Sequence, residues 1–222
     1  MTASPMRPPD ARRDRLAVGA RQLGLALDEP TTERLLDFVD LLQRWNATYN
    51  LTAVRDPDEM LTQHVLDCLA VVPAIERVMG AAPQRVLDVG SGGGLPGLVI
   101  AATRPGDEVV CVDTVGKKAA FIRQAAMDLR LPNLRAEHAR VESLQAAPFD
   151  LVTARAFAAL RDLVALSSRH LADGGLWMAM KGTRPDDEIA GLPRHIDVFH
   201  VEHLTVPGLA AERCLVWMRP RA

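Results

Sequence analysis

Apolar residues along this chain follow two rhythms, and the change between them falls near residue 80. Upstream they recur at helical spacing. In "TTERLLDFVDLLQRW", after Pro30, Leu35, Phe38, Val39, Leu42 and Trp45 fall on one helical stripe. "DPDEMLTQHVLDCLAVV" opens with helix-start chemistry. Asp56 can cap, Pro57 suits the first helical position, and Glu59 stands three residues past the cap, as in a capping box. Pro73 is expected to disturb or end that helix, because proline lacks an N–H and crowds the preceding turn.

From residue 85 onward, short apolar runs alternate with amphipathic stretches. The runs are "RVLDV" (85–89), "EVVCVD" (108–113), "LRAEHA" (134–139), "FDLVTA" (149–154) and "GLWMAMK" (175–181). Helix-like segments lie between them near 95–104, 116–130 and 158–171. Continuous apolar strands imply burial on both faces, and the βαβ rhythm implies parallel pairing. The end differs. "HIDVFHVEHLTVP" and "ERCLVWMRP", joined by "GLAA", predict an antiparallel hairpin at one sheet edge. The sum is an open, doubly wound α/β sheet of about seven strands with helices on both faces. A helical N-terminal extension is expected over residues 1–80 and the sheet domain over 81–222. Ligands of such sheets bind beyond the carboxyl ends of the strands, beside the first one.

At that place the first strand runs into "VGSGGGLPG", with five glycines among residues 90–97. Glycine loses more backbone freedom on ordering than any other residue, so the loop implies a close approach to backbone. Gly90, Gly92 and Gly94 space it as G-x-G-x-G, with Leu95 and Pro96 opening the next helix. Glycine-rich strand-to-helix turns cradle anions and nucleotides. Two ligands compete here, a dinucleotide such as NAD and S-adenosylmethionine. Asp88 is expected at the mouth of the site, where a carboxylate repels a pyrophosphate but tolerates a sulfonium and an ammonium. A G-x-G-x-x-G fingerprint fails from Gly90, because Leu95 stands where glycine is needed, yet one starting at Gly92 is completed by Gly97. The dinucleotide therefore stays open. Asp113, ending the second strand, can accept both ribose hydroxyls of an adenosine or serve the helix of "TVGKKAAFIRQ" as a cap. Val141 and Glu142 would flank an adenine after the third strand.

After the fourth strand the chain reads "TARAFAAL" (153–160). It has neither the Asx-Pro-Pro-aromatic corner expected for methylating an exocyclic amine nor the cysteine needed to attack a pyrimidine carbon. A ring nitrogen with an in-plane lone pair, such as guanine N7, needs no proton removed and suits a site without an evident base. Arg155 at the end of that strand can hold a phosphate, a guanine O6 or the methionine carboxylate, and Lys181 in "MKG" is placed alike. Either can equally be a surface ion pair. Without a base to point to, a cofactor-binding assembly factor lacking turnover is the alternative from another class.

Composition adds little. Of the 222 residues, 48% are hydrophobic and 24% charged, an ordinary globular balance, and the net charge of −2 gives no global basic field for nucleic acid. Arg7, Arg12, Arg13, Arg15 and Arg21 read by composition as a solvated tail. No apolar stretch is long enough for a membrane span, and "MTASPMRPPDARRDRLAVGA" has no apolar block after its arginines. Cys68, Cys111 and Cys214 form neither a disulfide framework nor a metal spacing, so a reduced cytoplasm and no metal are expected. Nothing marks a dimer seam, and a monomer is expected.

Several strings occur together: "WNATYNLTAVRDPDEMLTQHVLDCL", "VLDVGSGGGLPGLVIA", "VDTVGKKAAFIRQ", "RVESL", "TARAFAAL" and "MKG". Over roughly residues 31–182 they resemble the RsmG (GidB) family of bacterial small-subunit rRNA methyltransferases. The resemblance implies a class I methyltransferase sheet and S-adenosylmethionine as cofactor. The implied reaction is methylation of N7 of one guanine in the 530 loop of 16S rRNA, guanine 527, with the 30S subunit as partner. By motif, cofactor contacts would fall on Asp88, Gly90, Leu95, Val141, Glu142 and Arg155, and the catalytic or RNA-side set on Asn50, His64, Lys117, Arg140, Arg155 and Lys181. Gln63 and Cys68 depart from the family's Arg-His-x-x-Asp-Ser pattern. From the residues alone, plainer roles are available. Asn50 can cap a helix ending near Trp45, and His64 shares a face with Met60 and Cys68. Lys117 can be solvated, and Arg140 can pair with Glu142.

Overall fold

A computed structural model describes residues 11–221. Arg7 therefore lies outside the described residues. The chain begins with α1 (Ala11–Gln22) and α2 (Glu29–Tyr49). α2 starts where Asp28 Oδ1 accepts the Thr31 amide at 2.8 Å, with Pro30 in the first turn. It passes Trp45 and stops only at Asn50, whose left-handed backbone (φ 50°) ends the helix. The next helical stretch is α3 (Pro57–Met60), a π-helical segment over Leu61–Leu66 and α4 (Asp67–Leu69). Asp56 caps it as expected, accepting from the Asp58 and Glu59 amides. Pro73 then sits in the first turn of a new helix, α5 (Val72–Met79), where its missing N–H costs nothing.

The remaining elements are β1 (Arg85–Val89), α6 (Gly97–Thr103), β2 (Glu108–Asp113), α7 (Gly116–Asp128) and β3 (Leu134–His138). They continue with β4 (Phe149–Arg155), α8 (Leu160–Ser167), β5 (Leu171–Lys181), α9 (Asp186–Ala190), β6 (Ile196–His203) and β7 (Cys214–Pro220). They form one seven-stranded sheet ordered β3-β2-β1-β4-β5-β7-β6. The first five strands are parallel, and β7 runs antiparallel to both β5 and β6. The expected hairpin is present and β6 takes the edge. Some boundaries differ from the sequence reading. α8 ends at Ser167, and β5 begins at Leu171, because that residue pairs with Phe149 ahead of a bulge. The loop helix opens at Gly97, with Pro96 as its cap position.

Apolar side chains gather into two clusters, one on each face of the sheet. One contains Leu16, Phe38, Leu61, Leu98, Phe121 and Met178, so the N-terminal helices share a core with α6, α7 and the strands. The other contains Val89, Phe149, Leu163, Trp177 and Val216. At about 25 cal/mol per Å² of buried apolar surface, a shared core of this kind dominates the stability of both parts.

The arginines of α1 are not a solvated tail. Arg12 pairs with Asp40 at 2.6 Å, Arg13 with Glu29 and Glu33, and Arg15 donates to Thr62 Oγ1 at 2.8 Å. These contacts fasten α1 onto α2 and onto the π-helical segment; Arg21 is exposed. No described helix is long and apolar enough to cross a membrane.

Candidate active site

The glycine loop joins β1 to α6 at the carboxyl edge of the sheet, beside β2 and β4. Its backbone is held from below. The Gly90 amide donates to Val112 O at 2.8 Å, Gly92 to Asp113 Oδ2 at 2.9 Å, and Gly97 to Asp88 Oδ2 at 2.8 Å. Glycine serves two purposes along it. A Cβ at Gly97 would lie 2.5 Å from Cys111 Sγ, so that position is bare because α6 packs tightly on the sheet. Gly92 has φ 58° and nothing within 4 Å of its would-be Cβ; it turns a left-handed backbone toward open space.

That placement corrects the expectation for Asp88. Its side chain is fully buried beneath the loop rather than at the mouth of the site, and it lines neither cavity described below. Burial raises its pKa to about 7, against the pull of the Gly97 amide. Asp88 shapes the loop from behind, so its charge does not by itself discriminate a pyrophosphate from a sulfonium.

Two cavities flank the loop and share Gly90 and Lys118. The smaller, about 320 Å³, is lined by Asp113, Arg140, Val141, Glu142 and Phe157 among others. Asp113 Oδ1 accepts the Val115 amide at 2.8 Å while Oδ2 takes Gly92, and Lys118 stands 3.8 Å from Oδ2. Val141 and Glu142 lie in a 3₁₀ turn whose carbonyls are both engaged. The His170 ring N–H donates to Val141 O at 2.6 Å, and Arg169 donates to Glu142 O at 2.8 Å. Arg140 pairs with Glu142 at 2.9 Å, the plainer of its two expected roles.

The larger cavity, about 480 Å³, is lined by Leu95, His64, Arg155 and Lys181 of the expected set, together with Thr52, Asp67 and Arg213. Arg155 leaves the end of β4 just before Ala156, which is held at φ 52°. Its Nη1 donates to Gln63 O and to Asp67 Oδ2, both at 3.0 Å. Lys181 is bound to Glu188 at 2.8 Å and donates to Ala158 O at 3.2 Å. His64, on the π-helical segment, is buried with Nε2 at 2.8 Å from Thr52 Oγ1. Burial and the nearby Arg155 charge push its pKa down to about 4, so the ring is neutral at pH 7.

The structure does not gather the whole expected set. Asn50 is the exposed C-cap of α2, takes a hydrogen bond from Arg55 at 3.2 Å and lines neither cavity, because the helix runs past Trp45 to Tyr49. Lys117 is exposed at the start of α7, and it is the neighbouring Lys118 that faces both cavities. Sequence reasoning missed Lys118, Asp67 and Arg213. "KK" carried an ambiguity that only the helix phase resolves. Asp67, one helical turn after His64, was within reach of a face argument. Among the described residues, no group of three His, Cys, Asp or Glu side chains could hold a metal ion.

Comparison with known proteins decides the family. The family model of GidB, described as rRNA small subunit methyltransferase G, matches residues 31–216. The chain belongs to this family. A ribosomal RNA small subunit methyltransferase G of Leptothrix cholodnii is 60% identical over 210 residues, covering 95% of this chain and 96% of that protein. Its counterpart in Paracidovorax citrulli is 58% identical over 223 residues, covering 96% and 91%. Among solved structures, TrmN from Thermus thermophilus aligns with a TM-score of 0.57 at 21% identity, over 72% of this chain and 53% of that one. That likeness is one of fold, the Rossmann-like sheet of class I methyltransferases.

Proposed function

We propose that this chain transfers a methyl group from S-adenosylmethionine to N7 of a guanine in the 530 loop of 16S rRNA, guanine 527, with the 30S subunit as substrate. The observation that carries the reading is the pair of cavities meeting at Gly90, one with a carboxylate and a backbone turn, the other with a cluster of cations. Their volumes, about 320 and 480 Å³, fall in the range of roughly 300–1,000 Å³ usual for small-molecule sites.

The residues present fit the methyl donor. Gly92 offers bare backbone, and Asp113 keeps a lone pair on each oxygen for the ribose hydroxyls beyond the amides it already accepts. With their carbonyls tied to His170 and Arg169, Val141 and Glu142 present a fixed turn to an adenine edge. When bound, the donor supplies an electrophilic methyl group on a sulfonium. The chain's own part is positioning and exclusion of water. Arg155 and Lys181 orient the acceptor side by charge, and Leu95 covers the cavity beside the loop. Neutral His64 can hydrogen-bond without removing a proton, which suits an acceptor nitrogen that brings its own lone pair. Lys118 faces both ligands, Arg140 stands exposed at the rim of the smaller cavity, and Asn50 and Lys117 lie on the outer surface where rRNA would approach. In this reading residues 1–80 form the RNA-side extension and 81–222 the donor-binding domain.

Labelled methyl transfer to purified 30S particles, with nucleoside mass spectrometry of the product, tests the proposal. The wild type is expected to yield 7-methylguanosine in the 530 loop. Arg155→Ala is expected to lose at least about a hundredfold in rate while still unfolding cooperatively. Particles that remain unmethylated by the wild type would overturn the assignment.

A further inference from the structure

Four cations line the larger cavity: Lys118, Arg155, Lys181 and Arg213. Two of them have a carboxylate each, Lys118 with Asp113 at 3.8 Å and Lys181 with Glu188 at 2.8 Å. The other two share one. Asp67 is 1% exposed, and its Oδ2 takes Arg155 Nη1 at 3.0 Å while its Oδ1 takes Arg213 Nε at 2.7 Å. Both oxygens of this buried carboxylate are thus occupied, and one positive charge is left over on two guanidinium groups held side by side. Arg155 and Arg213 keep 20% and 25% of their side-chain surface exposed, so the excess charge is partly desolvated yet reachable.

The hydrogen-bond count agrees. A guanidinium has five N–H donors. Arg213 uses Nε on Asp67 and Nη1 on Glu212 O at 2.8 Å. Arg155 uses only Nη1, on Asp67 and Gln63 O. Each therefore retains donors beyond those bound within the described residues. Both arrive from fixed backbone, Arg155 from the end of β4 and Arg213 from the residue before β7, where Cys214 pairs with Lys181. The Arg213 carbonyl also accepts the Leu204 amide at 2.8 Å, which pins the hairpin behind it.

We propose that Arg155 and Arg213, aligned on Asp67, form a two-guanidinium clamp for a single oxyanion, with Arg213 as a ligand-contacting residue and Asp67 as the positioning residue. Paired guanidinium forks match the oxygens of a carboxylate or a phosphate and strengthen where water is partly excluded. The inference rests on the methyl-donor and rRNA reading, which offers two sources of such an anion: the carboxylate of the donor's methionine part and a phosphate of the RNA.

Titration calorimetry with S-adenosylhomocysteine and with methylthioadenosine, which lacks that carboxylate, separates them on wild type, Arg213→Gln and Asp67→Asn. If the clamp takes the carboxylate, Arg213→Gln weakens S-adenosylhomocysteine by about tenfold and leaves methylthioadenosine unchanged. If it takes a phosphate, both nucleosides bind as in the wild type, while affinity for 30S particles falls and its salt slope drops by about one. Either result supports the clamp. Arg213→Gln is the decisive variant, because its side chain is partly exposed and its loss leaves Asp67 paired with Arg155; Asp67→Asn is expected to follow it where it folds. Arg213→Gln matching the wild type in all three measurements overturns the clamp. A wild type that binds neither nucleoside overturns the methyl-donor reading instead, and the 30S arm then decides the clamp by itself.

Discussion

The Gly97 amide donates to Asp88 Oδ2 at 2.8 Å, tying the first residue of α6 back to the middle of the sheet. Asp88 Oδ1 has no partner, and the nearest thiol, Cys111, stands 3.9 Å from Oδ2. A carboxylate this deep, with one amide to support it, is more easily protonated than an ordinary one.

Its folded pKa of about 7 lies above the 3.8 usual for an aspartate side chain. The folded state therefore holds a proton that the unfolded chain has released, and stability contributed by Asp88 falls as pH rises from 4 towards 7. Asp88→Asn removes that dependence. Relative to the variant, the wild type should lose on the order of 4 kcal/mol across this window, read from urea unfolding at a series of pH values. Parallel pH profiles for the two proteins would contradict it.

His64 works in the opposite sense. Its folded pKa of about 4 lies below the 6.5 usual for an imidazole, so its contribution is complete above pH 6.5 and is lost as pH falls toward 4. His64→Gln should be less acid-sensitive than the wild type by up to about 3 kcal/mol. Because the two groups titrate over the same window with opposite signs, the wild-type curve alone conceals both, and the single variants are needed to see either.

Gly97→Ala places a methyl group 2.5 Å from Cys111 Sγ and 2.9 Å from Asp88 Oδ2. Overpacking of this size costs about 1–3 kcal/mol, more than alanine regains in helix propensity at a first-turn position. Thermal or urea unfolding reads the loss, and adding Cys111→Ala should restore part of it by making room. Unchanged stability in Gly97→Ala would mean that α6 is free to slide.

Adjacent lysines give a contrast that composition cannot. Lys118 faces both cavities and Lys117 is exposed. Lys118→Ala should raise the KM for the methyl donor several-fold in a 30S methylation assay, and Lys117→Ala should leave it within about twofold. Equal effects would place the cavity contact elsewhere.

Much of this architecture is legible in the chain because each parallel strand is a short, doubly buried apolar run. "RVLDV" and "EVVCVD" admit little else, and they pair in parallel as their pattern requires. The start of β5 is not legible, since "LADGG" is polar and joins the sheet only through a bulged pairing with Phe149. Nor is the π-helical turn around His64, because no residue type there signals a widened helix. The position of Asp88 is not legible for a related reason: the end of a strand and the mouth of a cleft are neighbours in sequence, but the loop and the first residue of α6 close over the carboxylate. Arg213 had no local signal at all. Its partner Asp67 lies 146 positions upstream, and only the completed sheet brings them together.

Phe38 on α2 and Phe121 on α7 meet at a ring separation of 6.3 Å inside the cluster that joins the leading helices to the sheet. Those helices are a roof built into the house rather than a lid laid on it. A truncated protein beginning at β1 would carry a raw greasy face into water and clump, and a graft of the roof from a distant relative would fail unless its underside were recut to match. A substitution on the underside of α2 is therefore felt by α7 and the strands beneath it through the same few side chains.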